Sequence, residues 1–479
     1  DSMISFEKII SLIIPFYNSE ETLQKCLDSV AAQTVDKEKL ELILVNDGST
    51  DGSEEIAKKF ASEKTFATII TRSHGGSGAA RNSGITAARG KYIAFLDADD
   101  SLSADAIKNT VDYFEENEER TDIVAYRMIP YTKSGRKKCD FKNEKRATDI
   151  YDLNVEGNEF LCPNGMNIVV KNIGDENVLF DSSEDCDLKA TEYCIQCARD
   201  KMTVGYVDSA EYRKFNNPSG ESKALKCSVY FDRFIGKWEE IFSSFDSVPD
   251  FVKSLFVEDV LNRISGDYLL PYHIEGDAYR DEIRRIEKLL ESVGDEIIIN
   301  FPDAPLMNRY YLVSMKYKGD LDAVTDGSLK LVHEDKVLYE ADSVKLVLTR
   351  FKARKSGIEL CGYISSPIFD YCEKPTLLLR ERSEIIPLEI RECSFCYDGA
   401  KIKNNTAWGF RTVIEVDKRK SFSFTVEIGE RSYPVDFECG EWVPFNKKRK
   451  LFVMNGIKCK MSDRCFVLEK ADKKAEKAY

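Results

Sequence analysis

The sequence predicts an α/β domain with a Rossmann-like, doubly wound parallel sheet, then a helical connector, then an all-β sandwich. Three observations lead to this. Up to residue 130, short apolar runs alternate with amphipathic helical spacing, the signature of β-α units on a parallel sheet. Residues 229–292 carry apolar side chains at helical intervals. From residue 329 onward, short alternating runs are separated by turn residues, which reads as a sandwich. At 479 residues the chain exceeds one ordinary core. The expected divisions are 1–225 for the first domain, 226–328 for the connector, 329–470 for the sandwich and 471–479 for a charged tail.

Composition excludes several classes. Hydrophobic content of 43% and charged content of 32% describe a folded, water-facing protein. The balance of 69 basic against 83 acidic side chains, a net charge of −14, argues against nucleic-acid binding through overall charge. No apolar run is long enough to span a bilayer, and no charged-then-apolar leader opens the chain. The expected location is cytoplasmic, with the inner face of the membrane left open. Asp1-Ser2 before Met3 reads as a non-native extension, and the charged end as a helix or a truncation point. The 14 cysteines are scattered, as in a reduced protein. The pairs Cys194/Cys197 and Cys393/Cys396 fall in different predicted domains, whereas a zinc site would need both.

The first element is a buried strand over 9–15, ending in Pro15-Phe-Tyr-Asn18. Ser19-Glu20-Glu21 then caps a helix carrying Leu23, Cys26, Leu27 and Val30 on one stripe. Residues 40–45 form a second strand ending at Asn46-Asp-Gly, and a helix follows over 54–62. A third strand, 67–71, leads into Ser73-His-Gly-Gly-Ser-Gly78 and a helix from about residue 79 to 90. The fourth strand, 92–96, delivers Asp97, Asp99 and Asp100 at its carboxyl end. Adjacent carboxylates repel unless a cation neutralises them, and a hard divalent ion does so while leaving positions for phosphate. A turn with an aspartate cap is the competing reading of that stretch alone. In such sheets ligands bind beyond the carboxyl ends of the strands. That rim collects Tyr17, Asp47, the glycine loop and the acidic cluster. The glycine loop lacks the lysine of a phosphate loop and does not follow the first strand as a dinucleotide fingerprint would.

Four ordered segments carry a resemblance: Ser11-Leu-Ile-Ile-Pro-Phe-Tyr-Asn18, Leu44-Val-Asn-Asp-Gly-Ser-Thr-Asp51, Ala80-Arg-Asn-Ser-Gly84 and Gly90-Lys-Tyr-Ile-Ala-Phe-Leu-Asp-Ala-Asp-Asp100. Residues 9–130 resemble a family 2 glycosyltransferase of the GT-A fold. The resemblance implies a nucleotide-sugar donor, usually a UDP-sugar, with Mn²⁺ or Mg²⁺. It implies that Pro15 and Tyr17 border the uracil, with Glu20 beside them in the donor site, and that Asp47 accepts the ring N–H. Arg81 would approach the phosphates, Asp97 the ribose or a metal-bound water, and Asp99 the metal. Gly78 stands where many relatives carry serine, which puts one side-chain contact to the donor in question.

Residues 107–117 read as a helix, 123–131 as a strand, 133–154 as a polar, flexible insertion and 165–171 as an acceptor-side strand. Phe180-Asp-Ser-Ser-Glu-Asp-Cys-Asp-Leu188 opens a helix with four carboxylates, more than capping needs. In the family a Glu-Asp pair here supplies the catalytic base, and Asp185 matches its second member. An inverting transfer needs such a group beside the acceptor hydroxyl. After a strand at 204–207 comes Glu211-Tyr-Arg-Lys214, where relatives carry Tyr-Arg-x-His. Arg213 and Lys214 would supply positive charge to the diphosphate in place of the missing histidine; two solvated side chains are the other reading. The domain order resembles bacterial wall teichoic acid and capsule glycosyltransferases. A metal-dependent inverting transferase acting on a cell-surface polymer or glycan is therefore expected, with peripheral membrane contact and self-association through the sandwich left open. An inactive polymer-binding protein and a nucleotidyltransferase are the alternatives.

Overall fold

The computed structural model describes residues 6–131, 147–156, 166–182, 188–215, 228–265, 276–302, 304–354, 357–393, 396–397, 400–401, 406–416, 418–440, 451–454, 456–462 and 464–471. The chain divides into two compact units, Asp1–Asp259 and Val260–Tyr479.

In the first unit, β1 (Lys8–Phe16), α1 (Leu23–Ala31), β2 (Leu40–Asn46), α2 (Ser53–Glu63), β3 (Ala67–Thr71), α3 (Gly76–Ala87) and β4 (Gly90–Phe95) follow one another in strict alternation. The four strands lie side by side in the order β3-β2-β1-β4, all parallel. Their sequences are apolar at nearly every position because helices cover both faces. Ile10, Leu12, Ile14 and Phe16 pack with Leu23, Cys26, Leu27 and Val30 of α1 and with Ala57 and Phe60 of α2. On the other face α3 lies so close to β1 that a Cβ at Gly84 would stand 2.4 Å from Ile13 Cγ2.

Beyond β4 the sheet is mixed, which corrects the expectation of an all-parallel sheet. After β5 (Ser101–Leu102) and α4 (Ala106–Asn117) come β6 (Ile123–Tyr131), β7 (Asp149–Asp152), α5 (Leu153–Glu156) and β8 (Ile168–Lys171). β8 is inserted antiparallel between β4 and β6. α6 (Lys189–Ala198) leads to β9 (Thr203–Phe215), which runs parallel to β6 and antiparallel to β5 and β7. Two expectations change here. The strand expected at 204–207 continues to Phe215, and of the polar stretch 133–154, expected to be a flexible insertion, residues 149–154 form β7 and the start of α5 while 133–146 lie outside the described residues. Cys194 and Cys197 sit on α6, where burial pushes the Cys197 thiol up to about 12. Two helices follow, α7 (Ser228–Ser243) and α8 (Asp250–Ser265), the second running across the boundary between the units. The second carries Asp259, which accepts the Trp238 indole N–H at 2.9 Å.

The second unit begins with α9 (Gly276–Leu290), α10 (Asp295–Ile299) and α11 (Leu306–Lys316). Buried Asp295 ties the start of α10 to the end of α11, accepting from Lys316 at 2.6 Å and from Tyr317 at 2.8 Å, and also from Lys336. A three-stranded meander, β10 (Asp322–Thr325), β11 (Leu329–His333) and β12 (Lys336–Ala341), follows. Apart from a two-stranded pair, Cys396–Tyr397 with Ala400–Lys401, the other described strands form one long β path that includes Val344–Ala353 and Gly357–Ser365 side by side. Arg431–Cys439 pairs with Val344–Ala353 on one side and Lys420–Ile428 on the other. Phe410 and Phe424 lie on strands that are not neighbours along this path, yet their rings meet at 5.6 Å. The sheet therefore folds back over its own core.

Candidate active site

The carboxyl ends of β1, β2 and β4 meet the start of α3 at one rim. Pro15 is buried at the end of β1 beside Val45. Tyr17 follows it and is 44% exposed. Its ring stacks on His74 of the glycine loop, centroids 4.0 Å apart. Asn18 has φ 47, and its side-chain oxygen accepts from the Thr50 backbone N–H at 2.8 Å. Glu20 packs on the neighbouring loop too: one carboxylate oxygen accepts from the Gly52 N–H at 3.1 Å. Glu20 thus braces two loops against each other within the rim.

Asp47 is the most heavily bonded group here. It is buried, and its carboxylate accepts from Arg72 Nη1 at 2.9 Å and from the backbone N–H groups of Gly75 and Gly76 at 3.2 Å and 2.8 Å. His74 Nδ1 stands 2.9 Å from the same carboxylate. The glycines allow this wrapping. Gly76 has φ +84, and Gly48, with φ +78, would bring a Cβ to 2.9 Å from the His74 nitrogen.

Arg81 projects from α3 and is buried, with Nη2 2.6 Å from Asp97 Oδ1 and its guanidinium 5.3 Å from the Phe180 ring. Burial works to raise the Asp97 carboxyl, but Arg81 and the Lys214 ammonium outweigh it and hold the group below its ordinary value. Asp100 goes the other way. Burial and the charges of Asp97 and Asp99 push it up to about 7, against hydrogen bonds from the Phe215 N–H at 2.8 Å and the Tyr212 hydroxyl at 2.8 Å. One turn thus holds a carboxylate kept ionised and another biased toward its acid form.

The longer β9 brings Arg213 and Lys214 to this turn, since Ser101 pairs with Arg213 and Leu102 with Tyr212. Arg213 bonds Glu211 of its own strand at 3.2 Å and lies 5.8 Å from the Tyr131 ring. Lys214 contributes its charge to Asp97. Asp185, with Glu184 and Asp187, lies outside the described residues. The segment just before them is held from two sides. The Asn82 amide accepts from the Phe180 N–H and donates to the Phe180 carbonyl, both at 2.8 Å. Lys237 of α7 bonds Asp181 at 2.8 Å. This explains Gly78: a Cβ there would lie 2.4 Å from the Asp181 carbonyl oxygen, so the close approach excludes serine's side chain.

Sequence reasoning passed over Arg72, His74, Asn82, Tyr212 and Lys237. Asn82, His74 and Tyr212 lay within segments already singled out, though none was given a role; Arg72 and Lys237 become visible only through contacts across the fold.

Among the described residues, no group of three or more His, Cys, Asp or Glu is arranged to hold a metal ion. Asp97 is committed to Arg81 and Asp100 to β9. Asp99, the third carboxylate of the same turn, is half-buried. That donor set suits an ion taking most ligands from water and substrate phosphates, as Mg²⁺ commonly does.

Comparison with known proteins follows the same outline. The family described as glycosyl transferase family 2 matches residues 11–173. The minor teichoic acid biosynthesis protein GgaA of Bacillus subtilis is 37% identical over 451 residues, covering 90% of this chain and 94% of that protein. The chain belongs to the family 2 glycosyltransferases. A second relative, the minor teichoic acid biosynthesis protein GgaB of the same organism, is 24% identical over 76% of this chain, which spans only 41% of GgaB. The chain likewise spans 23% of the poly(ribitol-phosphate) beta-glucosyltransferase of Bacillus spizizenii, at 36% identity over 148 residues, 30% of this chain. Among solved structures, S. aureus TarS superposes with a TM-score of 0.56 at 15% identity, over 97% of this chain and 86% of that one. TarS 1–349 in complex with UDP-GlcNAc gives 0.52 at 16% identity, over 70% and 99%. The fold of this family 2 member is therefore that of TarS. No helix among its described residues is long and apolar enough to cross a membrane.

Proposed function

We propose that this chain is an inverting GT-A glycosyltransferase that moves a sugar from a UDP-sugar to a hydroxyl of a teichoic-acid-like cell-surface polymer, with the β path of its second unit forming a sandwich that serves as accessory domain. The observation that carries the donor side is the rim where Tyr17, Asp47, Arg81 and Asp97 converge. The match to GgaA supports the polymer, and the UDP-GlcNAc complex of TarS supports the donor.

In this reading Tyr17 and Pro15 border the base and Asp47 fixes the loop around it. Arg81, kept paired with Asp97 until the donor arrives, offers its guanidinium to the diphosphate. Asp99 would hold Mn²⁺ or Mg²⁺. When bound, such an ion neutralises charge on the departing diphosphate. Asp185 takes the proton of the acceptor hydroxyl as its oxygen bonds to the anomeric carbon. The bond to the diphosphate breaks, and its electron pair leaves with UDP. Lys214, and Arg213 once released from Glu211, add positive charge to the leaving group.

Asp185→Asn tests the assignment. The amide keeps the size of the group and its capping ability but cannot accept a proton near neutral pH. Transfer or donor hydrolysis should fall by about a hundred- to ten-thousand-fold while UDP affinity stays. Near-normal turnover would move the base to Glu184 or Asp187. Absence of UDP-sugar binding by the wild-type chain would favour the inactive polymer-binding alternative.

A further inference from the structure

We propose that Tyr212 is a positioning residue: its hydroxyl, held between the Asp97 backbone and the Asp100 carboxylate, locks the acidic turn onto β9 and sets the turn's readiness for a metal–diphosphate. The inference rests on the donor-site reading above and extends it to two residues that reading leaves without a role.

The geometry is local and closed. The Tyr212 hydroxyl accepts from the Asp97 N–H at 3.1 Å and donates to Asp100 Oδ2 at 2.8 Å. The other oxygen of Asp100 accepts from the Phe215 N–H at 2.8 Å. The Asp100 N–H in turn donates to the Asp97 carbonyl at 3.0 Å. The Ser103 hydroxyl accepts from the Glu211 N–H at 3.0 Å, and the Ser103 N–H donates to the Glu211 carbonyl at 2.9 Å. Tyr212 and Asp100 are both buried. Burial, with Asp97 and Asp100 nearby, pushes the Tyr212 phenol well above its ordinary value, so the hydroxyl keeps its proton and its donor role.

Two consequences follow. Asp100 is spent on the latch, so the third carboxylate of the cluster orients its neighbours instead of binding an ion. Because β9 carries Lys214, whose charge acts on Asp97, the same latch fixes the basic end of β9 against the acidic turn. Removing the hydroxyl leaves the Asp97 N–H and Asp100 Oδ2 each without this partner inside a buried site, which frees the turn to relax.

The test is titration calorimetry of UDP on the full chain, with Mn²⁺ and with a chelator, for wild type, Tyr212→Phe, Asp100→Ala and the double variant. The readout is the ratio of the two affinities. In Tyr212→Phe the Mn²⁺-dependent gain should fall about tenfold, the size of losing a charge-assisted hydrogen bond. Asp100→Ala should do the same, and the double variant should be no worse than the poorer single one, as for residues acting as one unit. A general loss of packing would lower both affinities together and leave the ratio alone, which would overturn the proposal. So would additive effects. A wild-type chain that binds UDP equally well with and without Mn²⁺ overturns the metal reading and this inference together; a metal-dependent wild type beside an unchanged Tyr212→Phe overturns the inference alone. Should Tyr212→Phe fail to fold, Asp100→Ala carries the same comparison.

Discussion

Asp47 spends its carboxylate on its own surroundings, accepting from Arg72, Gly75 and Gly76 before any ligand arrives. Asp47→Asn turns one oxygen into a donor facing donors. It should lower stability by roughly 1.5–3 kcal/mol, the range for hydrogen bonds to a charged group, and weaken UDP binding with it. Denaturant unfolding and a UDP titration on the same sample would check this; a loss of binding with unchanged stability would show that the loop does not depend on Asp47. Gly78 makes a second prediction. A methyl group at 2.4 Å from the Asp181 carbonyl must displace backbone, so Gly78→Ala should cost about 1–3 kcal/mol, as overpacking does. It should also impair transfer more than UDP binding, because the displaced strand of chain leads toward Asp185. Equal loss of both in steady-state kinetics and calorimetry would contradict this.

At the scale of elements, the parallel half of the first sheet was legible because buried strands and amphipathic helices leave periodic traces in β1 to β4 and α1 to α3. The insertion of β8 antiparallel between β4 and β6 left no such trace. A four-residue apolar run looks the same whichever way its neighbours point. The continuation of β9 through Glu211-Tyr-Arg-Lys was hidden for another reason: three of its four residues are charged and half-buried, and Tyr212 alone enters the core. Of the rim residues that motifs named, Arg81 pairs with Asp97 and Asp47 bonds the loop that leads into the Arg81 helix, whereas the bonds of Tyr212 and His74 appear only in the folded chain. In the second unit, Glu359 on the strand Gly357–Ser365 accepts from Arg354 Nε at 2.9 Å and Arg411 Nη2 at 3.1 Å. These two guanidinium groups pull its carboxyl down to about 2 from an ordinary value of 4.5. A depressed acid contributes stability above its unfolded value and loses it as pH falls through its folded one. Wild type should therefore be more stable than Glu359→Gln at pH 7. The gap should close between about pH 4.5 and pH 2, and shrink with added salt because Arg411 is solvent-facing. Thermal midpoints of both proteins across that range would show it; a constant gap would assign the difference to packing.

At the scale of the whole chain, every residue proposed for the donor site precedes residue 216. A fragment of residues 1–265, the first unit with the whole of its last helix, should keep UDP binding and slow donor hydrolysis, since domains with their own cores fold independently. A soluble fragment without either would show that the β-rich unit completes the site. The same fragment in light scattering would reveal whether that unit holds copies together: a smaller species than the full chain yields supports assembly through it.

The latch between the acidic turn and β9 also has a meaning in time. Asp97 and Tyr212 are 115 positions apart, so a ribosome releasing about 5–20 residues per second needs several seconds to deliver the second after the first. During that interval the turn has three carboxylates and no strand to hold them. A nascent chain halted before residue 203 would carry all four family motifs and still lack a finished donor site.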